Sequence, residues 1–314
     1  MGVADMSDES RVNPGSARGG RATPEILTIA EVVHRSAKWL GDKGSDTPRL
    51  DADILIGHAL GLERIALYTE GERPLTPDEL ASCRALIARR GEMVPVAHIT
   101  GRRAFGRLDL EVTPDVLVPR PDTEVIVDVV VEMAPQGGRV VDWGTGSGAI
   151  ALAVADLRVD LNVTGLERSL EAWAVAERNL AANPSLAERV RLLASDGMTA
   201  VAGERFDVVV SNPPYLVPED LERFPALRHE PAEALVSGPL GTEDLERVIS
   251  EAVGVLSPGG LIVLEVGQGQ ATAVEQMLVG SGFTDIATRA DLAGIARAVM
   301  GRRALPHRAG VGLW

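Results

Sequence analysis

The sequence predicts an α/β fold for the C-terminal half of the chain, with a parallel sheet covered by helices on both faces. Three observations support it. After Arg139, short apolar runs alternate with segments of helical periodicity. The runs are almost continuously hydrophobic, as in strands buried on both faces. A glycine-rich turn at residues 144–148 joins the first run to the first helical segment, which predicts a ligand site at the carboxyl edge of the sheet.

The region before the sheet divides into three parts. Residues 1–24 are rich in Gly, Ser, Arg and Pro and predict a disordered tail. In residues 25–92 apolar positions recur at helical spacing, with prolines where helices begin or end, which predicts a domain of four or five helices. Apolar and polar side chains alternate at 108–112 and again at 116–118, so residues 93–120 are predicted to form a β-hairpin linker.

Residues 121–303 are predicted to form the sheet domain, and residues 304–314 a second tail. Pro121 opens a helix, since proline suits a first helical position. The predicted strands are Arg139–Trp143, Asn162–Glu167, Val190–Ala194, Phe206–Ser211 and Leu261–Val266, with weaker ones near Thr284–Thr288 and Arg297–Met300. The helices that alternate with them are predicted at Ala149–Asp156, Ser169–Asn179, Thr242–Val255 and Gln270–Val279.

Composition indicates a soluble globular protein that we expect to be cytoplasmic and monomeric. The chain has 314 residues, 45% of them hydrophobic, which is enough for one large domain and a smaller one. No window approaches the roughly 20 apolar residues of a membrane helix. The stretch 1–22 resembles neither a secretory signal nor a transit peptide. The single cysteine, Cys83, cannot form an internal disulfide and lies in a helical pattern, so we expect a structural role.

The charge argues against a stable nucleic-acid partner. The formal net charge is −14, whereas proteins that bind nucleic acid through phosphates need a basic stripe. The densest basic cluster, Arg102, Arg103 and Arg107, is of a density common on protein surfaces. The five histidines are scattered without metal-ligand spacing. No metal is therefore expected.

The glycine-rich turn predicts a cofactor that carries a nucleoside. It runs Gly144-Thr145-Gly146-Ser147-Gly148 after a strand and before a helix, and its glycines would let a ligand approach the backbone closely. The next strand ends at Glu167, 23 residues after Gly144, where a carboxylate can accept hydrogen bonds from both ribose hydroxyls. A dinucleotide fits this plan, but the glycine spacing differs from the dinucleotide fingerprint.

The tetrapeptide Asn212-Pro213-Pro214-Tyr215 follows the fourth strand. Asn and Pro are common in turns, but this sequence also suits the alkylation of a planar nitrogen. The Asn oxygen and a proline-fixed carbonyl can accept both hydrogens of an NH2 group, while the tyrosine ring packs on the flat group. With the glycine turn and Glu167, the tetrapeptide favours S-adenosyl-L-methionine as the cofactor.

With these motifs the chain resembles the glutamine methyltransferases that modify class-I peptide chain release factors, over about Thr28 to Arg303. The shared motifs are Pro95–Gly101, Phe105-Gly106, Val116–Glu124, Asp142–Ala149, Ser211–Tyr215, His229-Glu230-Pro231, Pro258-Gly259-Gly260, Glu265-Val266-Gly267 and Asp291–Gly294. The resemblance implies a Rossmann-like S-adenosylmethionine-dependent methyltransferase sheet with a small N-terminal helical domain and a β-hairpin linker. It also implies a substrate, the glutamine of the release factor's Gly-Gly-Gln motif.

The resemblance also implies residue roles. The cofactor's methionine and ribose would lie along 144–148, with the ribose on Glu167, and Asn212 would bind the target amide in a pocket completed by residues 213–215. The family usually has an Asp-Trp pair beside the adenine. Here the pair is Asp196-Gly197, and Trp143 replaces an aliphatic residue before the glycine turn. The implied reaction is a direct in-line displacement by the glutamine nitrogen, without a metal or a covalent enzyme intermediate.

Three alternatives remain open at the level of sequence. The sister enzymes that methylate a glutamine of a large-subunit ribosomal protein share most of these motifs. An adenine or guanine amino methyltransferase would use the same tetrapeptide, and a non-catalytic adaptor could retain the fold. Outside the tetrapeptide, Arg120 and Glu124 are expected to anchor the linker, and His229-Glu230-Pro231 to shape a lid over the substrate.

Overall fold

The computed structural model describes residues 26–305. The predicted tail 1–24 and residues 306–314 lie outside the described range. Five helices form the N-terminal unit. Four of them lie within residues 25–92, where the sequence predicted four or five, and the fifth lies in the stretch that was predicted as β-hairpin linker. The five helices are α1 Ile29–Asp42, α2 Pro48–Leu60, α3 Ala66–Thr69, α4 Pro77–Gly91 and α5 Val96–Thr100.

Local sequence signals explain where these helices begin. Thr28 and Thr76 each accept a hydrogen bond from a glutamate backbone amide three residues later, and that glutamate's side chain bonds back in a capping box. The helices share a buried core that includes Ile56 and Cys83. Burial raises the pKa of the Cys83 thiol to about 11, so the thiolate is disfavoured. The structural role predicted for this cysteine is confirmed.

The linker contains the predicted hairpin, but its strands differ from the expected ones. Strand β1 Arg102–Phe105 pairs antiparallel with β2 Leu108–Glu111. The second alternating run, residues 116–118, is not a strand, so that part of the prediction was wrong. Its side chains alternate because Val116 and Val118 are buried against other elements. The backbone N–H of Val118 donates to the Glu230 carboxylate at 2.9 Å rather than to a neighbouring strand.

A seven-stranded sheet forms the centre of the C-terminal unit, in the order β5-β4-β3-β6-β7-β9-β8. The first five strands in that order run parallel, and β9 pairs antiparallel with both its neighbours. The bounds are β3 Arg139–Trp143, β4 Asn162–Glu167, β5 Val190–Ala194, β6 Phe206–Ser211, β7 Leu256–Glu265, β8 Phe283–Ala290 and β9 Ala296–Arg303. The first four match the predicted bounds. Strand β7 begins five residues earlier than predicted, because its Pro-Gly-Gly segment continues the strand past an irregularity in the pairing with β6.

Helices cover both faces of this sheet, as the sequence predicted. They are α6 Glu124–Met133, α7 Ala149–Leu157, α8 Leu170–Ala181, α10 Glu243–Val255 and α11 Ala271–Gly280. The short helix α9 Pro218–Arg223 follows β6 and buries none of its residues. Alternate strand residues enter separate cores: Val140 packs in the core that includes α6 and α7, and Val141 in the one that includes α10 and α11. The predicted α/β fold is confirmed.

The order of the strands determines where on the sheet a ligand site can form. From β3 the chain builds outward through β4 and β5, then returns to the other side of β3 with β6 and β7. A crevice forms at the carboxyl edge where the order reverses. Trp143 at the end of β3 lies beside Ser211 at the end of β6, so the glycine turn and Asn212 emerge next to each other.

Candidate active site

A cleft with an empty volume of about 1030 Å³ lies at this carboxyl edge. It brings together most of the residues that the sequence singled out. Those that line it are Gly144, Thr145, Gly146, Ser147, Glu167, Asp196, Gly197, Asn212 and Pro214. Gly148, Pro213 and Tyr215 are not among the lining residues, although Pro213 and Tyr215 directly adjoin Pro214, which is.

The glycine turn forms an open cradle at one wall of the cleft. Gly144 and Gly146 have φ angles of 71° and 56°, a conformation that side chains disfavour. A Cβ at either glycine would meet no atom within 4 Å. Gly148 differs, because a Cβ there would lie 3.3 Å from the Leu152 side chain. The first two glycines therefore leave room for a ligand, whereas the third lets α7 pack.

Glu167 fixes the shape of this cradle. Its carboxylate accepts hydrogen bonds from the backbone N–H of Gly146 at 2.8 Å and of Ser169 at 2.9 Å. A carboxylate has about four lone-pair sites, so both oxygens retain capacity for hydroxyl donors in the cleft. The open cradle and the acidic acceptor fit the methionine and ribose parts of S-adenosylmethionine.

Asp142 supports the turn from below and was named only as part of a motif in the sequence. It is fully buried at the end of β3 and accepts a hydrogen bond from the Thr145 hydroxyl. Burial raises the pKa of Asp142 to about 7, and the Thr145 hydrogen bond opposes that rise. The sequence signal was a charged residue inside an otherwise apolar strand.

A cluster of polar side chains lies at the Asp196-Gly197 end of the cleft. The Arg247 guanidinium forms ion pairs with Asp196 at 2.9 Å and with Glu251 at 2.8 Å, and it lies 5.7 Å from the centroid of the Trp143 ring. The indole N–H of Trp143 donates to Glu251 at 3.0 Å. Sequence analysis missed Arg247 and Glu251, because only the packing of α10 brings them to this end.

Gly197 is surrounded by this cluster, so there is little room for a side chain at this position. Its φ is 62°, and a Cβ there would lie against the Glu251 carboxylate and the Arg247 guanidinium. We expect Gly197→Trp to lower the melting temperature by several degrees through strain and displaced ion pairs, without tightening cofactor binding. Differential scanning fluorimetry and calorimetric titration with S-adenosylmethionine would check both. A stable variant with higher affinity would show that the cluster yields easily to an aromatic side chain.

Asn212 occupies the opposite end of the cleft. Its Nδ2 donates to the Thr123 hydroxyl at 3.2 Å, which leaves the Oδ1 atom without this partner and available as an acceptor. Pro213 is buried behind it. The Tyr215 hydroxyl donates to Glu265 at 3.3 Å, and the Tyr215 carbonyl accepts from Gln270 at 3.0 Å. The tetrapeptide is therefore held from behind through its backbone and its ring.

Glu265, behind the tetrapeptide, is 1% exposed. Burial raises the pKa of its carboxyl to about 7, against the opposing influence of Thr123, Tyr215 and Arg297. The same burial, with Glu265 nearby, raises the pKa of the Tyr215 phenol. Tyr215 is therefore a neutral hydrogen-bond donor at physiological pH.

The raised pKa of Glu265 predicts a pH-dependent stability. Between its ordinary value of 4.5 and about 7 the folded protein binds more protons at this carboxyl than the unfolded chain does, so stability falls as pH rises. The full effect is on the order of 3 kcal/mol. Glu265→Gln lacks this titration. We expect the variant to gain stability relative to the parent between about pH 5 and pH 8, as measured by urea unfolding. Parallel pH profiles would contradict the assignment, since the Asp142 contribution is common to both proteins.

The linker contacts the segment around Glu230 beside the cleft. Buried Glu230 accepts from the backbone of Val118 and forms an ion pair with Arg120. Glu124 accepts from the backbone N–H of Gly106 in the hairpin turn at 3.2 Å. The anchoring roles predicted for Arg120 and Glu124 are confirmed. His229 also lies 2.9 Å from the Glu92 carbonyl, so the segment around residue 230 touches both the linker and the helical unit.

Residues 26–305 contain neither a cluster of metal-binding side chains nor a membrane-spanning helix. No group of three or more His, Cys, Asp or Glu side chains in this range is arranged to hold a metal ion. No helix in the same range is long and apolar enough to cross a membrane.

The fold and the cleft define a class of protein, the S-adenosylmethionine-dependent methyltransferases with a Rossmann-like sheet. Two family models match the chain: the PrmC N-terminal domain over residues 31–101 and the methyltransferase small domain over residues 121–238. A solved methyltransferase from Pyrococcus furiosus has the same fold, with a TM-score of 0.50 and 21% identity over 71% of this chain and 98% of that one.

Curated relatives identify the family within this class of methyltransferases. A release factor glutamine methyltransferase of Geobacter sulfurreducens is 42% identical over 89% of this chain and 98% of its own length. The enzyme of that name from Escherichia coli is 38% identical over 83% of this chain and 94% of its own. The chain belongs to the release factor glutamine methyltransferase family. It is an S-adenosylmethionine-dependent protein-glutamine N-methyltransferase.

Proposed function

We propose that this protein methylates the side-chain amide nitrogen of the glutamine in the Gly-Gly-Gln motif of class-I peptide chain release factors. The observation that carries the proposal is the position of Asn212. It lines the same cleft as the glycine turn, and its Nδ2 is engaged by Thr123. The Oδ1 atom is then the part of the side chain left to accept an N–H from a substrate amide.

The residues of this chain act by orientation rather than by acid–base chemistry. When bound, S-adenosylmethionine would supply an electrophilic methyl group on a sulfonium, with the neutral thioether S-adenosylhomocysteine as the leaving group. Asn212 and the Pro213 carbonyl accept the two amide hydrogens of the target, which aims the nitrogen lone pair and reduces its conjugation. These hydrogen bonds strengthen as positive charge develops on the nitrogen. Tyr215 is held by Glu265 next to the lining residue Pro214, and its ring packs on the planar amide once the substrate has entered. The methylated nitrogen loses its proton to water.

We further propose that the cofactor lies with its methionine and ribose along Gly144–Gly148 and Glu167, and with its adenine toward Asp196-Gly197. In this orientation the reactive methyl group of the cofactor lies between the glycine turn and Asn212. The helical unit is assigned to recognition of the protein substrate, because the lid contacts it through His229. The net charge of −14 supports a protein substrate, since nucleic-acid binders need basic surfaces. The protein is proposed to act as a monomer.

The test is mass spectrometry of a purified bacterial release factor incubated with this protein and S-adenosylmethionine. We expect one added methyl group, mapped to the glutamine of the Gly-Gly-Gln motif. A release factor with that glutamine replaced by alanine is the matched control and is expected to gain none. Transfer only to a large-subunit ribosomal protein, or only to nucleic acid, would overturn the proposed substrate.

A further inference from the structure

Two buried polar residues, Thr123 and Glu265, are neighbours of Asn212 in the fold. Thr123, which precedes α6, is 4% exposed, and Glu265, which ends β7, is 1% exposed. Strands β6 and β7 run parallel with Ser211 beside Leu264, so Asn212 and Glu265 are the next residues on adjacent strands. Thr123 contacts the side chain of Asn212 from the N-terminal end of α6.

In this cluster one hydrogen-bond donor and one hydrogen-bond acceptor have no assigned partner. The Thr123 oxygen accepts from Asn212 Nδ2 at 3.2 Å, and its own hydroxyl hydrogen still needs an acceptor. Thr123 is the N-cap residue of α6 but makes no side-chain capping bond. Tyr215 donates to Oε1 of Glu265, whereas Oε2 is buried without a hydrogen-bond partner. An unmatched buried polar atom costs about 1–3 kcal/mol.

When its carboxyl is ionised, above a pKa of about 7, Glu265 is the natural acceptor for the Thr123 hydrogen. The Thr123 hydroxyl favours the ionised form of the Glu265 carboxyl, as a hydroxyl that donates to a carboxylate does. Among the described residues no other donor forms a hydrogen bond with Oε2. With its hydrogen directed to Glu265, the Thr123 oxygen presents lone pairs to Asn212, and these can be met only by the NH2 side of the amide.

We propose that Thr123, held by Glu265, is a positioning residue that fixes which face of the Asn212 amide points into the cleft. An asparagine amide can rotate by half a turn and exchange its oxygen for its NH2 group. In the rotated state two NH2 groups, those of Asn212 and of the target, would face each other and repel. The relay from Glu265 through Thr123 prevents that state. This inference rests on the proposed function, in which Asn212 accepts from the substrate amide.

The test is made at about pH 8.5, where the Glu265 carboxyl is ionised. It compares Thr123→Val, which is nearly isosteric but has no hydroxyl, with Thr123→Ser, which keeps it. We expect Thr123→Val to lower kcat for release factor methylation by about ten- to a hundredfold, in the range that misaligned reacting groups cause. KM for the release factor and the calorimetric Kd for S-adenosylmethionine are expected to stay within about twofold, because Thr123 does not hold the cofactor. Thr123→Ser is expected to retain most of the parent kcat. Unchanged kcat in Thr123→Val, or equal losses in both variants, would overturn the proposal.

A second measurement separates this inference from the proposed function. The side-chain NH2 signals of Asn212 can be assigned by NMR from their absence in Asn212→Ala. Their hydrogen exchange is expected to be slow in the parent and in Thr123→Ser, and faster in Thr123→Val, whichever protein is the methyl acceptor. Equal exchange in all three would overturn the positioning role. If Thr123→Val does not fold, as judged by cofactor binding, Thr123→Ala removes the hydroxyl without a branched replacement and is expected to show the same loss.

Discussion

Replacing Asn212 with alanine is expected to lower the turnover number of glutamine methylation by about 10²- to 10³-fold, the range seen when one preorganised polar group is removed from a reacting centre. The variant loses the side-chain acceptor for the target NH2 group, and the amide nitrogen then keeps its conjugation and its freedom to rotate. Cofactor affinity is expected to stay within about threefold of the parent, because the glycine turn and Glu167 are unchanged. Single-turnover kinetics and calorimetric titration with S-adenosylmethionine measure the two effects separately.

Asn162→Ala is the matched control for this prediction. Asn162 is an exposed asparagine at the start of β4, at the opposite edge of the sheet from the cleft. We expect that variant to methylate at the parent rate. Near-normal turnover in Asn212→Ala would remove the central role proposed for Asn212. A parallel loss of cofactor affinity would instead assign Asn212 to cofactor binding.

The sheet and the two ends of the site were predictable from sequence because each depends on neighbours in the chain. The four buried runs that became β3 to β6 are each followed within two residues by Gly, Ser or Asn, which commonly end strands, so their carboxyl ends were placed correctly. The stretch Gly144–Gly148 signals a positive-φ turn by composition, and Asn212 follows an apolar strand directly. In all these cases one short window of residues contains the whole physical signal.

The residues that sequence missed act through contacts distant in the chain. Glu251 reaches Trp143 across 108 positions, and Asn212 reaches Thr123 across 89. No local pattern marks such pairs, because α10 and α6 place them through packing. Residues 116–118 show the opposite case, in which a local pattern predicted a strand that is not present. Their alternation looks like a strand, yet it reflects burial of two valines while the backbone bonds to the side chain of Glu230.

Replacing Glu167 with glutamine is expected to weaken binding of S-adenosylmethionine by tenfold or more, about 1.4 kcal/mol or above. The carboxylate accepts from two backbone N–H groups that shape the cradle and is proposed to accept from the ribose as well. Glutamine has a single acceptor oxygen, so its NH2 group would face one of those N–H donors and leave it unmatched. The cradle would therefore shift at Gly146, and an acceptor for the ribose would be lost.

Calorimetric titration with S-adenosylmethionine and with S-adenosylhomocysteine would measure this effect. Both ligands carry the same ribose, so we expect equal losses of affinity, whereas a role at the sulfonium would weaken only the charged ligand. Glu171→Gln is the matched control, since Glu171 is an exposed glutamate on α8 outside the cleft. Unchanged affinity in Glu167→Gln would place the nucleoside elsewhere in the cleft. An equal loss in both variants would point to the general acidity of this edge rather than to the Glu167 carboxylate.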